Sequence, residues 1–241
     1  MNEVIAQLYS RKSIRVYTEQ PIGKAEKEAI LRAAAEAPTA GNQQLYTILD
    51  ITDQALKEKL VETCDHQPMI AQAKMVLIFC ADCKKWYDAY VAVGCQTRKP
   101  GVGDLMLAVT DAMIAAQNAV TAAESLGIGS CYIGDIMENC EVQREILHLP
   151  QYVMPVGMLI FGYPTQQQVN RCKPERVEMK YIVHENGYVP LKDKDLEEMW
   201  SPRAGEKGYE AWMQAFCNRK YNSEFSREMT RSVEKYLEQF K

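Results

Sequence analysis

Four apolar runs rich in β-branched or aromatic residues, 45-LYTILDI-51, 75-MVLIFCA-81, 129-GSCYI-133 and 155-PVGMLIFG-162, read as strands bounded by small or polar residues. Between them the spacing turns helical. A short helix is expected over about Asn2–Tyr9, and a second over Lys24–Ala37, where Ile30, Leu31, Ala34 and Ala37 form a stripe that Pro38 ends. Helices near 53–63 and 138–147 fill two further intervals. The segment Asp104–Leu126 is long enough to cross a bilayer, but Asp111, Gln117, Asn118 and Glu124 interrupt it. It reads as a buried helix in which Leu105, Met106, Val109, Met113 and Val120 fill opposite sides, suited to a domain centre or a subunit interface.

After Gly162 the pattern weakens. Residues 163–180 read as a polar connector and 181–188 as a short extended piece and turn. Helices near 205–220 and 224–239 carry Trp212, Phe216, Phe225, Tyr236, Leu237 and Phe240, apolar surface that must be covered. The expectation is a mixed α+β chain, one domain over 1–241 with a helical C-terminal arm at about 190–241.

Composition narrows the function classes. With 28 basic against 32 acidic residues, a formal net charge of -4, there is no global attraction to nucleic acid or to an anionic membrane, and neither is expected as a partner. No leading segment has the pattern of an export signal, and eight cysteines are scattered through a chain with its own core, so reduced thiols in the cytoplasm are expected.

Four stretches carry candidate chemistry. In 11-RKSIRVY-17, Arg11, Lys12 and Arg15 concentrate positive charge around Ser13, which suits a phosphate and suits equally a solvated helix end. In 38-PTAGNQQ-44, Gly41 allows close approach, and Thr39, Asn42, Gln43 and Gln44 offer uncharged donors and acceptors, which fit a heteroaromatic edge or a plain turn. The glycines of 127-GIGSCYIGD-135 do not make a P-loop, because Asp135 stands where the lysine is needed, nor a dinucleotide fingerprint. They leave a glycine-rich strand end. Lys173 and Arg176, with Arg171 nearby, form a second cationic group or an ordinary polar loop.

In this order, 11-RKSIR-15, 37-APTAGNQ-43, 129-GSCYIGD-135 and 173-KPER-176 resemble the nitroreductase family of FMN-dependent NAD(P)H oxidoreductases, over essentially the whole chain. The resemblance implies a mixed sheet flanked by helices, a homodimer built on long central helices, and two FMN molecules at its interface. It implies that Arg11, Lys12, Ser13 and Arg15 lie on the phosphate and ribityl side. Pro38, Thr39, Ala40, Gly41 and Asn42 would line the ring, partly from the neighbouring subunit. Tyr132, Ile133, Gly134 and Asp135 would stand beside the isoalloxazine, with Lys173 and Arg176 as a later phosphate-binding pair. NADH or NADPH would be the donor, and nitroaromatics, quinones or free flavin the small-molecule acceptors, reduced in a ping-pong cycle. Ala40 stands where a serine is common in the family, and K-P-E-R replaces the commoner K-P-R, which leaves Arg171 as an alternative to Arg176.

No side-chain nucleophile is needed for flavin chemistry, and His66, His148 and His184 lie in no hydrolase motif. Cys80 and Cys83 have C-x-x-C spacing, yet they follow a strand and have no second pair, so structural thiols are expected and no metal. The stretch 83–103 reads as a loop or short helical excursion whose Trp86, Tyr87 and Tyr90 anchor it or, by the resemblance, overhang the flavin. Lys84, Lys85, Arg98 and Lys99 are candidates for an NADPH phosphate. The competing class is a nonredox nucleotide-binding or protein-interaction module.

Overall fold

The computed structural model describes residues 1–241. Its elements are α1 (Glu3–Ser10), α2 (Lys24–Ala35), β1 (Tyr46–Asp50), α3 (Gln54–Thr63), α4 (Met69–Gln72), β2 (Met75–Asp82), α5 (Lys84–Ala92), α6 (Val102–Ser125), β3 (Gly129–Ile133), α7 (Cys140–Ile146), β4 (Val153–Gly162), α8 (Gln166–Asn170), α9 (Asp193–Ala204), α10 (Tyr209–Lys220) and α11 (Glu224–Leu237). They fall into two compact units, Met1–Arg171 with Glu228–Lys241, and Cys172–Arg227.

The first unit is built on one sheet of order β1-β2-β4-β3 with antiparallel ladders. An isolated parallel bridge joins Ser13 to Ser130. The two central strands, β2 and β4, are buried along their whole length, which is why they read as continuous apolar runs. Alternate residues of β2 feed two cores: Met75, Leu77, Phe79 and Ala81 face one, and Val76, Ile78 and Cys80 the other. A bulge between Phe79 and Cys80 in the β2–β4 pairing shifts the register, so that Met154 and Val156 share the first core while Met158 and Ile160 enter the second.

Helix α6 closes the first core with a row of small residues, Ala108, Ala112, Ala115, Ala116, Ala119 and Ala123, that lets its backbone approach the sheet and α2. Met113 lies over Gly157 of β4 for the same reason. By length and composition α6 could span a bilayer, but this face is taken up by core packing. Leu105 and Val120 are buried as expected, whereas Met106 lies on the outward face, 58% exposed, with Leu107 and Ile114.

The last residues of the chain complete this unit. Helix α7 has no cap of its own, because Asn139 before it takes a left-handed conformation with φ 51°. Its free N–H groups are met instead from α11: Glu228 accepts from Asn139 N at 3.0 Å, and Ser232 Oγ accepts from Cys140 N at 2.9 Å. Arg231 holds Glu141 through two bonds of 3.0 and 2.8 Å. Tyr236 and Phe240 are then buried in the first core, Phe240 edge-on to Tyr152 at 5.6 Å.

In the second unit, Trp212 stacks on Phe216 at 5.0 Å and lies 6.4 Å from Trp200, which gives the aromatic residues of that segment their cover. Helix α9 is absent from the sequence reading. Its residues, DKDLEEMWSPRA, offer few apolar positions and include Pro202, but Asp195 accepts from Lys192 N at 3.0 Å and so starts the helix. Residues 181–188, expected as a short extended piece and turn, begin in a 3-10 turn at Met179–Tyr181 and run through a turn and bends, with no part pairing to a strand. Helix α8 was likewise hidden by its glutamine run, with Val169 its single apolar residue.

Candidate active site

The fold brings two of the four stretches into direct contact. Ile14 N donates to Ser130 O at 2.9 Å beside the Ser13–Ser130 bridge, so residues 11–15 lie along β3. Gly129 permits this approach: a Cβ there would stand 2.5 Å from Ile14 Cγ1. The glycine thus serves backbone-to-side-chain packing, as does Gly162 against Tyr17.

The cations around this contact have different tasks. Lys12 Nζ donates to Val169 O at 2.7 Å and to Arg171 O, which braces residues 11–15 against the end of α8. Arg171 Nη2 donates to Ser13 O. Arg11 Nη1 and Arg171 Nε are both buried without a hydrogen-bond partner. Both guanidinium groups adjoin the 11–15 segment, Arg11 as its first residue and Arg171 through Ser13 O, and an anion with several acceptor oxygens would give such N–H groups partners. Arg15 is exposed, with its backbone N bonded to Gln168 Oε1 at 3.3 Å. Burial raises the Cys131 thiol, and Arg15, Ser13 and Arg11 oppose that rise, which places them around it. Tyr132 is pushed up to about 12 by burial, with Arg11 opposing, and its hydroxyl donates to Gln117 of α6 at 3.3 Å. Ile133 is buried at the end of β3, Gly134 is exposed, and Asp135 opens a 3-10 turn.

The 38–44 loop is anchored elsewhere on α6. Ala40 N and Leu45 N donate to the two oxygens of Asp111, at 2.9 and 3.2 Å. Pro38, Gly41 and Asn42 are exposed, while Thr39 and Ala40 are half-buried. From Asp111 to Thr121, whose neighbourhood also holds Arg11, the helix rises about 15 Å. Within one protomer the loop and the cationic cluster are therefore at different heights on the same helix.

Beside the loop lies a cavity of about 160 Å³ lined by Gln43, Leu45, Trp86, Tyr87, Tyr90 and Arg98, among others. The excursion 84–92 forms its wall as α5. Trp86 Nε1 donates to Gln43 O at 2.6 Å, and its ring lies 5.7 Å from that of Tyr90. Tyr87 turns inward and packs edge-on to Tyr152. Three of the cations proposed for a cofactor phosphate are already engaged: Lys84 with Asp88 at 2.7 Å, Lys85 with Tyr46 O at 2.6 Å, and Arg98 with Asp104 at 2.9 Å.

Cys80 and Cys83 sit in different cores, one on each face of the sheet, and burial pushes both thiols up to about 12. Neither is a thiolate at neutral pH, so the C-x-x-C spacing is structural. Lys173 and Arg176 belong to the second unit, where Arg176 Nη1 donates to Pro174 O at 3.2 Å. Arg171 is the cation of that group that the first unit holds against Ser13.

The description "Nitroreductase family" matches residues 8–163, the stretch that contains the sheet, α6 and three of the four motifs. The chain belongs to the nitroreductase family. Among nitroreductase relatives, it is 39% identical over 197 residues to the oxygen-insensitive NADPH nitroreductase of Salmonella typhimurium, covering 81% of this chain and 79% of that one. It is 31% identical over 240 residues to the FMN reductase [NAD(P)H] of Bacillus subtilis, covering 99% and 92%. The solved structure of Bacillus megaterium NfrA2 superposes with a TM-score of 0.85 at 30% identity, over 98% of each chain. Like other nitroreductases, the protein is an oxidoreductase that passes electrons from NAD(P)H to an acceptor with the help of a flavin. The sequence reading missed one of the residues that shape the site. Asp111 was legible as an acid in an apolar helix with no basic residue at 107, 108, 114 or 115. Gln44, already named among the uncharged donors and acceptors of the loop, bonds Asn42.

Proposed function

We propose that this nitroreductase holds one FMN per protomer in a homodimer and reduces nitroaromatics, quinones or free flavin with NADH or NADPH. The pair of buried, unpartnered guanidinium N–H groups at Arg11 and Arg171, beside Ser13 and Arg15, is the observation that carries the reading. That cluster suits the FMN phosphate, with Lys12 as a brace and Arg171 in the role first given to Arg176 and Lys173. Tyr132, Ile133, Gly134 and Asp135 supply the strand end at the ring edge. Pro38, Thr39, Ala40, Gly41 and Asn42 line the ring from the partner subunit, which agrees with their separation from the cationic cluster along α6.

Dimerisation through α6 is supported by its outward row of Met106, Leu107 and Ile114, and exposed Val4 and Leu8 add apolar surface on α1, which meets the helix near Thr121 and Glu124. The bound flavin supplies hydride acceptance from the nicotinamide and electron delivery to the acceptor. The protein's residues bind and orient: the cations neutralise phosphate, the loop amides meet the ring, and Trp86 and Tyr90, tilted 40° to each other, offer aromatic surface to a planar acceptor. One open cavity of this size serves donor and acceptor in turn, so initial-rate plots against both should be parallel. The eight free cysteines agree with the cytoplasm as its location.

The test is direct. Purified protein should be yellow with one FMN per chain, and NAD(P)H should bleach that band before any acceptor is added. Colourless protein that FMN cannot reconstitute would end this reading.

A further inference from the structure

Asp111 is buried in the middle of α6, 2% exposed, with no cation to pair with it there. A carboxylate in such a place persists only where donors compensate it. Those donors are the N–H groups at the two ends of one loop, Ala40 N on Oδ1 at 2.9 Å and Leu45 N on Oδ2 at 3.2 Å. Between the two anchor points the backbone is left-handed at Gly41 (φ 57°), Asn42 (φ 55°) and Gln44 (φ 49°). Glycine adopts that conformation freely and asparagine tolerates it, but glutamine is strained there. Such a run survives where the surroundings impose it.

Two further bonds tighten the loop. Gln44 N donates to Thr39 Oγ1 at 3.2 Å, and Gln44 Nε2 donates to Asn42 Oδ1 at 2.9 Å and to Asn42 O at 3.1 Å. The oxygen of the Asn42 amide is thereby engaged, and its two N–H donors remain free on an exposed side chain.

We infer that Asp111 is a positioning residue for the flavin ring: by clamping both ends of the 40–45 loop it holds Asn42 where its amide donors meet a ring carbonyl. This rests on the flavin reading above. Asp111 touches no ligand itself. It links the loop to the helix that carries the proposed dimer seam, so the ring-lining segment moves only as α6 moves. Because the loop addresses the ring and not the phosphate, loss of the clamp weakens FMN and riboflavin by the same factor. Loss of Arg11 or Arg171 instead weakens FMN selectively.

The experiment measures FMN and riboflavin dissociation constants for the wild type, Asp111→Asn and Asp111→Ala, with the fold of each checked by circular dichroism. Asparagine keeps one acceptor oxygen of the two, so its effect should lie between the others. The expected result is a loss of about tenfold or more for both ligands in Asp111→Ala, equal within error, with faster amide exchange at Ala40 and Leu45 and unchanged exchange in β2 and β4. If the alanine variant does not fold, the asparagine variant carries the comparison. Unchanged affinities, or a loss confined to FMN, would overturn the inference while leaving the flavin reading intact. A wild-type protein that binds neither ligand would end the flavin reading itself, and this inference with it.

Discussion

Replacing Glu138 by glutamine should stabilise the protein in neutral solution and leave it nearly unchanged in acid. The side chain is 6% exposed, its Oε1 is buried without a partner, and it makes no hydrogen bond. Burial first, and then the carboxylates of Asp135, Asp65 and Glu228, push its own carboxyl up to about 7. In the unfolded chain the same group titrates near an ordinary value of about 4.3. A folded value above the unfolded one contributes stability that is complete below about pH 4.3 and is lost as pH rises through about 7. At roughly 1.4 kcal/mol per tenfold, that gap sets an upper bound of about 3 kcal/mol by pH 7, which solvent screening reduces to about 1–2 kcal/mol, with little further change above it. Glutamine removes the charge while keeping the shape. The gain should therefore be close to nothing at pH 4 and about 1–2 kcal/mol at pH 7 to 8, a rise of roughly 2–8 °C in Tm for a chain of this length. Urea unfolding of the two apoproteins at half-unit steps between pH 4 and 8 reads the difference directly. A difference that does not vary with pH, or a glutamine variant less stable throughout, would refute the account of Glu138 as a buried carboxyl among like charges.

Arg171→Ala should weaken FMN by more than tenfold and riboflavin hardly at all in fluorescence titrations, whereas equal losses would remove Arg171 from the phosphate cluster. Gly129→Ala puts a Cβ 2.5 Å from Ile14, so it should cost about 1–3 kcal/mol in thermal or urea unfolding and loosen the 11–15 segment. Ser232→Ala leaves Cys140 N without its acceptor and should cost about 1 kcal/mol, with faster amide exchange at the start of α7 and none at β2. Ile114→Glu places a charge on the outward face of α6 and should yield a monomer by sedimentation at low micromolar concentration, while a dimer that persists would move the seam elsewhere.

The strands were legible because both central ones are buried on two faces, so that nothing polar breaks their runs, and their edges carry clear stops such as Gly162 and Asp82. Helix α6 was legible for its length and its alanines, but periodicity alone did not reveal which face looked outward, and it left Met106 between a domain centre and a subunit interface. Helix α8 is five residues long and α9 starts from local acids and not from an apolar stripe, so neither left a period to read. In the site, the segments 11–15 and 129–133 were found as motifs, yet their contact depends on the absence of a side chain at Gly129, which sequence spacing cannot locate. The two ends of the Asp111 clamp stand 71 and 66 residues from the acid that joins them.

The capping of α7 from α11 also orders events in time. Residues 228–241 belong to the unit begun by residues 1–171, and 172–227 must be made before they appear. At a synthesis rate of about 5–20 residues per second, that interval lasts roughly 3–11 s. During it the nascent first unit has an α7 N-terminus without Glu228 and Ser232, and a core missing Tyr236 and Phe240. A ribosome-bound chain stalled before residue 228 should consequently be easy prey for proteases around 139–152, and it should become resistant once α11 has emerged.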